Sequence, residues 1–358
     1  HPSAPSAVCM AGERMPLPDL LTQHPQEILG ARVASRFGGL PFLFKVLSAA
    51  EPLSIQVHPN RAQAQALHTR DPEHYPDGNH KPEVAVALRR LDVLVGFRGC
   101  EELLPLLERY PELAALLSED ARCALRGGAG REPAVQAGAL RALVAELLTC
   151  ARDDPQRLRG AMDALAARLA REGLRNAEDA LLCDLHRRHG GGDLGLPMAL
   201  LLNRVSLGPG QGLYIAAGVP HAYLCGDIVE CMANSDNVVR AGLTNKFVDL
   251  PALADVLDYE PGRPALLEPS PCSAEAAYMT PAAEFEVRRL RLGAGERRRE
   301  RSDGGPQVWL LVEGEARLTW PGGAMPWQRG ESLLLPACLP EVEVEAVSGC
   351  EWYGARVP

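Results

Sequence analysis

Ser54, Gln56 and His58 alternate with the apolar residues Leu53, Ile55 and Val57 in the stretch 53–60. On a strand, successive side chains point to opposite faces, so the three polar groups line one face together. A solvated strand face carries the same alternation, and the pattern gains meaning only from what accompanies it. A second polar cluster, Asn79-His80-Lys81-Pro82-Glu83, follows shortly, and Gly218-Val219-Pro220-His221-Ala222-Tyr223 stands far downstream. Together they offer two imidazoles (His58, His221), the Glu83 carboxylate and the Gln56 amide oxygen. That is a four-ligand set for a borderline divalent cation. Lys81 and Glu83 are two residues apart and share a side if the segment is extended. A lysine beside a metal carboxylate needs an anion to offset it, which a substrate can supply.

A third cluster runs through 226–247. Read generically it is a polar surface loop after a strand. Yet Arg240 directly follows the apolar pair Val238-Val239, and Lys246 follows a glycine-containing turn. An arginine binds phosphate through its planar fork and a lysine acts as a point charge, so both suit an anionic sugar.

These motifs must be positioned by a sizeable fold. The chain has 358 residues and 46% hydrophobic content, enough for two or three domains with real cores and too apolar for disorder. A net charge of −9 does not favour non-specific nucleic-acid binding, so local basic groups must hold any anionic substrate. No apolar run is read as transmembrane in length, and the first residues carry no signal-peptide core. Ten scattered cysteines without a Cys-x-x-Cys pair read as reduced thiols of a cytoplasmic protein. The first residue is His1, which reads as the start of a fragment.

Along the chain, a short helical pattern lies around residues 20–28, and 40–47 is a dense apolar run expected to be a buried strand. Lys45 inside that run is equally a core-edge cation or a group aimed into a pocket. Residues 61–75 look helical, and 82–88 and 93–97 return to strand character. From Cys100 to about His189 the texture changes to Ala/Leu-rich helical spacing, as in Leu140, Leu143 and Leu147, or Leu158, Met162, Leu165 and Leu169. The run Gly190-Gly191-Gly192 is expected to end it, with short strands resuming after Leu194. The Pro- and Gly-punctuated strands that follow suit a barrel or sandwich. A further all-β segment begins near Phe285. There, 341–345 alternates as a half-buried strand with a solvated acidic face, and Arg297 to Arg301 reads as a solvated hairpin tip.

The motifs 41–47, 53–60, 80–83, 219–224, 226–232 and 235–244 carry a resemblance. By them the chain is similar to the type I mannose-6-phosphate isomerases (phosphomannose isomerases), zinc-dependent cupin enzymes. The resemblance spans nearly the whole chain, loosely in the helical insert and the C-terminal β-segment. It implies a mainly β fold with an α-helical insert. A cupin (jelly-roll) barrel is formed by 1–99 and 194–265, a helical domain of 100–193 is inserted in it, and 266–358 forms a second cupin-like β-domain. It implies one Zn2+ per chain held by Gln56, His58, Glu83 and His221. Arg240 becomes a catalytic arginine, with Ser54, Lys81 and Lys246 lining the substrate pocket and Tyr223 and Glu230 close to it. The implied reaction interconverts mannose 6-phosphate and fructose 6-phosphate through a cis-enediol, feeding mannose activation to GDP-mannose for protein glycosylation. The implied partner is a small phosphorylated sugar, with no nucleic acid or membrane, acting on a monomer.

The residue types suit that chemistry independently. A cation can stabilise an enediolate as a Lewis acid, Arg240 can meet the same charge, and a group near both carbons must carry the proton. Glu230, Lys81 and His80 are candidates for that carrier, all three left open. In the family an upstream segment precedes this region, and His1-Pro2 resembles the end of its last motif, so an N-terminal truncation is expected. The alternative reading is a non-catalytic metal- or sugar-phosphate-binding cupin that lost activity with that segment. An iron-dependent cupin dioxygenase is disfavoured by Gln56, because such sites favour two histidines and one carboxylate.

Overall fold

The computed structural model describes residues 5–10, 12–268 and 273–358. His1 and Pro2, which carry the expected motif end, lie outside them. A hairpin of β1 (Ala7–Met10) and β2 (Glu13–Pro16) leads into α1 (Leu17–Gln23) and α2 (Pro25–Phe37). The motif-bearing strands follow: β3 (Phe42–Ala49), β4 (Ile55–Val57), β5 (Glu83–Ala87) and β6 (Leu91–Phe97), with α3 (Arg61–Arg70) after β4. Seven helices come next: α4 (Cys100–Arg109), α5 (Pro111–Ala114), α6 (Glu119–Gly128), α7 (Pro133–Asp153), α8 (Pro155–Glu172), α9 (Ala177–His189) and α10 (Gly195–Leu201). Strands resume as β7 (Leu202–Leu207), β8 (Gly212–Ile215), β9 (His221–Ala233) and β10 (Val239–Gly242), then α11 (Leu250–Val256) and β11 (Leu266–Leu267).

Nine of these strands form one curled antiparallel sheet organised on β9. Its first half pairs with β4 and β6, and its second half, from Gly226 on, with β3 and β5. The switch falls at Gly226, where φ is 133° and a Cβ would lie 2.5 Å from the Arg90 carbonyl oxygen. Only glycine fits a backbone that close. The helices α4–α10 leave the sheet after β6 and return at β7, and those two strands pair with each other.

Alternation on β4 sorts its side chains as the pleat requires. Ile55 and Val57 are fully buried in the same apolar cluster as Leu103, Leu140, Leu143, Leu147, Leu158 and Leu165 of the helices. The sheet thus presents an apolar back to the helices and keeps its polar row for the other face. The helix α7, 21 residues long, contains an 18-residue stretch of mean hydropathy 1.4, the length and apolarity of a membrane span, contrary to the sequence expectation. Its leucines are buried against neighbouring helices, which is why a core helix passes that test.

The remaining strands are β12 (Glu275–Tyr278), β13 (Glu286–Leu292), β14 (Arg297–Arg301), β15 (Gln307–Glu313), β16 (Glu315–Trp320), β17 (Gly323–Gln328), β18 (Ser332–Leu335), β19 (Glu341–Ala346) and β20 (Cys350–Arg356). They make two antiparallel sheets, β12-β13-β20-β15-β18 and β14-β19-β16-β17. Between them lies a cluster containing Trp309, Trp327 and Trp352.

Several expectations need correction. The 40–47 run is a strand, but Lys45 and Val46 are about half exposed, because β3 pairs on one side only, with β9. The early helical pattern extends to Phe37, capped by Gly38 at φ 71°. The glycine run does not return the chain to strands: α10 follows, and an all-apolar run such as 194–201 has no periodicity to separate helix from strand. The arginine run is no hairpin tip. It is β14, paired in register with β19 so that Arg297 faces Glu345, Arg299 faces Glu343 and Arg301 faces Glu341. The acidic face of β19 is therefore covered by arginines, with Arg299 Nε 2.8 Å from Glu343 Oε2.

Candidate metal centre

Register places a polar row across three adjacent strands. Arg240 of β10 lies opposite Gln56 of β4, which lies opposite His221 of β9. Residues directly opposite share a face, so the three side chains project together. His58 comes from the turn after β4 and Glu83 from the first position of β5.

Each imidazole is oriented by a backbone carbonyl. His58 Nδ1 donates to Asn237 O at 2.9 Å, and His221 Nδ1 donates to Val219 O at 3.0 Å. A carbonyl only accepts, so each Nδ1 carries a proton, and in the neutral imidazole it is Nε2 that keeps the lone pair. Both lone pairs face Glu83: His58 Nε2 is 3.2 Å from Oε1 and His221 Nε2 is 3.4 Å from Oε2. All three residues are buried, and His58 Nε2 and Glu83 Oε2 have no hydrogen-bond partner. Acceptors facing one another in a dry interior are unfavourable until a cation lies between them.

The ligand atoms of these three residues lie within 4.8 Å of one another, which suits a single metal ion. Gln56 Nε2 is 3.3 Å from His221 Nε2, and rotating the amide brings its oxygen to the same place. Two neutral nitrogens, a carboxylate and an amide oxygen fit a borderline cation such as zinc. The hydrogen bonds from Nδ1 are the usual outer support of such ligands.

Electrostatics agree with that donor set. Burial lowers the His58 imidazole to about 4, against the opposing pull of Glu83, so it is neutral near pH 7. Burial alone would raise the Glu83 carboxyl. The Lys81 ammonium, 3.4 Å away, pulls the other way, and the carboxyl is held well below the usual carboxylate range.

Around this core the other sequence candidates divide. Glu230 is buried on β9, with its carboxylate accepting from Tyr223 Oη at 2.8 Å and pairing with Lys45 Nζ at 3.0 Å. Burial and the Glu83 charge raise the Glu230 carboxyl, against Lys45 and Tyr223. Tyr223 is buried with its hydroxyl committed to Glu230, and burial raises it well above its ordinary value. Lys81 is buried beside Glu83. His80 is engaged elsewhere: its Nε2 lies 2.8 Å from Glu284 Oε1. Ser54 is half-buried just before β4. Arg240 is half-buried, and burial lowers its guanidinium; among the described residues no carboxylate lies within ion-pair distance of it. Lys246 stands apart on an exposed loop beyond β10.

One contributor escaped the sequence reading, and a second, Lys45, is left open there between a core edge and a pocket. Asn237 offers its carbonyl to His58, while its side-chain amide donates to Asp77 O at 2.6 Å and Asn79 O at 3.1 Å. Lys45 pairs with Glu230. A compositional signal could have found Lys45: of the 37 basic residues only three are lysines, Lys45, Lys81 and Lys246, and all lie in or beside the chemical motifs.

Comparison with known proteins bears on this geometry. The family model described as phosphomannose isomerase type I, catalytic domain, matches residues 1–100. Mannose-6-phosphate isomerase from Mus musculus is 37% identical over 333 residues, covering 88% of this chain and 77% of that protein. The Homo sapiens enzyme is 36% identical over 326 residues, covering 87% and 76%. Among solved structures, an arginine-to-alanine variant of phosphomannose isomerase from Salmonella typhimurium superposes with a TM-score of 0.83 at 31% identity, covering 99% of this chain and 88% of that one. A zinc-bound mannose 6-phosphate isomerase gives a TM-score of 0.82 at 32% identity, with the same coverage.

Proposed function

The chain belongs to the type I phosphomannose isomerase family, and from that premise we propose how its residues perform the reaction. It is a zinc-dependent aldose–ketose isomerase of the cupin fold that interconverts mannose 6-phosphate and fructose 6-phosphate. The observation that carries the site is the buried convergence of His58 Nε2, His221 Nε2 and Glu83, with unpartnered acceptor atoms facing one point.

We assign the zinc ligands to His58, Glu83, His221 and Gln56. When bound, the ion polarises the sugar carbonyl and offsets negative charge at the reacting carbons. Arg240 shares the face of Gln56 and His221, and with no carboxylate partner among the described residues its charge is free to meet the enediolate as it forms. Of the three candidate proton carriers, Lys81 is held at Glu83 and His80 at Glu284. Glu230 is our choice, since the fold raises its carboxyl toward the range where one group both takes and gives a proton. Lys81 and Lys246, with Ser54, remain our assignment for the phosphorylated sugar. Tyr223 serves by holding Glu230 rather than by touching substrate. We read the protein as a monomer that acts without nucleic acid or membrane, and as cytoplasmic, the last supported by nine described cysteines that are all free.

The test is metal content and isomerase turnover of purified protein beside His221→Ala. One zinc per wild-type chain, lost in the variant together with turnover, is the expected result. Full zinc retention in His221→Ala removes the assignment.

A further inference from the structure

The segment after Arg240 is held from outside the sheet, and the group that holds it is Asp193. This residue lies between α9 and α10, where the helical excursion returns. Its Oδ1 accepts from the backbone N–H of Gly195 at 2.6 Å and of Leu243 at 2.8 Å, and its Oδ2 from Thr244 N–H at 3.3 Å. His189 Nδ1 stands 4.0 Å from Oδ2, and the carboxylate is 11% exposed. One side chain thus bridges the start of α10 and the turn that ends β10.

That turn needs holding. Leu243 has φ 55°, the only positive φ among the described non-glycine residues. A buried leucine in the left-handed region is strained and persists only where its surroundings fix it. Gly242, at φ 133°, packs so closely that a Cβ there would lie 2.1 Å from Gly195 N and 2.6 Å from Asp193 Oδ1. Just before it the β10–β4 register shifts: Arg240 pairs with Gln56, but Gly242 pairs with Ile55, leaving Ala241 as an extra residue. Such bulges re-aim a neighbouring side chain, and a one-residue slip would turn Arg240 to the apolar face of β4.

We propose that Asp193 is a positioning residue for the isomerase reaction: by clamping the Gly242–Thr244 turn it fixes the bulge that sets Arg240 opposite Gln56 and His221. The inference rests on the role assigned to Arg240 above. It gives the helical segment a part in catalysis through the turn behind Arg240.

A double-mutant cycle tests it on the zinc-loaded full chain. Asp193→Ala is expected to lower kcat about 10- to 100-fold, as small misplacements of a reacting group do, with KM and zinc content near wild type. Asp193→Asn, which keeps Oδ1 as an acceptor for Gly195 and Leu243, should recover most of the loss. In an Arg240→Ala background Asp193→Ala should add almost nothing, because residues that act through one another are non-additive. An undiminished further loss in the double variant, or wild-type kcat in Asp193→Ala, overturns the proposal. Amide hydrogen exchange reads the clamp without turnover. Loss of protection at Arg240, Leu243 and Thr244 in Asp193→Ala, with β5 unchanged, supports it. Unchanged protection at those amides overturns it even if the role of Arg240 in catalysis fails.

Discussion

In the sheet organised on β9, the enclosed positions carry His58, Glu83, His221, Tyr223 and Glu230, all buried. In the C-terminal pair of sheets the enclosed positions carry Trp309, Trp327 and Trp352, with ring centroids 5.9–6.0 Å apart. Both regions are antiparallel and alternate along each strand, yet one interior is filled with lone pairs and charges and the other with indoles. The indoles are nearly self-sufficient. Trp309 Nε1 donates to Gln307 Oε1 at 3.0 Å and Trp327 Nε1 to Glu331 O at 3.1 Å, leaving only the Trp352 N–H of the three without a partner. The polar interior is not self-sufficient, because its nitrogens and carboxylate oxygens face one another. A region that stabilises itself builds the frame, and a region that needs a bound cation to resolve its own repulsion does the chemistry.

Removing an indole attacks the frame and should give the largest effect on stability. Trp352→Ala is expected to cost about 3–5 kcal/mol, read as a lowered chemical-denaturation midpoint, because the cavity cannot collapse between two sheets. Zinc per folded chain should be unchanged. A parallel fall in zinc content would show that the two interiors are coupled and break the contrast.

Arg240→Ala attacks the chemistry instead. It should lower turnover by about 10²–10³ while leaving zinc content and stability near wild type, by analogy with deleting one charge-stabilising donor. Arg240→Lys should recover little, because the planar fork is lost. A large rise in KM at near-normal kcat would make Arg240 a phosphate anchor and sink the catalytic role.

Acid sharpens the difference further, because the polar interior carries His58. Folding lowers His58 to about 4, whereas an unfolded chain has it near 6.5. Between those values the unfolded state binds a proton that the folded state refuses. The metal-free protein should therefore lose stability as pH falls from about 6.5 toward 4, by roughly 3 kcal/mol in full, and be unaffected by this group above that window. Added zinc should extend the loss below pH 4 without changing where it begins, since the metal holds the same nitrogen unprotonated in the folded state. Urea midpoints measured across this range with and without zinc check it. A metal-free midpoint that stays flat from pH 6.5 to 4 would exclude His58 as the titrating group.

Parts of this were legible in the residues. The alternation of Ser54, Gln56 and His58 foretold their shared face, and the i, i+3, i+4 leucines after Cys100 foretold helices, because both patterns are local consequences of backbone period. The arginine run was misread because its counter-charges, Glu341, Glu343 and Glu345, lie more than 39 residues away in sequence and meet it only across a strand pair. Lys45 could not be placed because its partner Glu230 comes from β9.

The sequence by itself determined which residue types were available, which of the periodic segments were strand or helix, and, through long motifs, the family. Tertiary structure alone decided what faces what: that both Nε2 lone pairs converge on Glu83, that Asn237 lends a carbonyl to His58, and that Asp193 holds the turn behind Arg240. The physical reason is range. Local propensity and period act over a few residues, whereas the repulsion, desolvation and hydrogen bonding that define this site act between side chains distant in sequence, and only register brings those together.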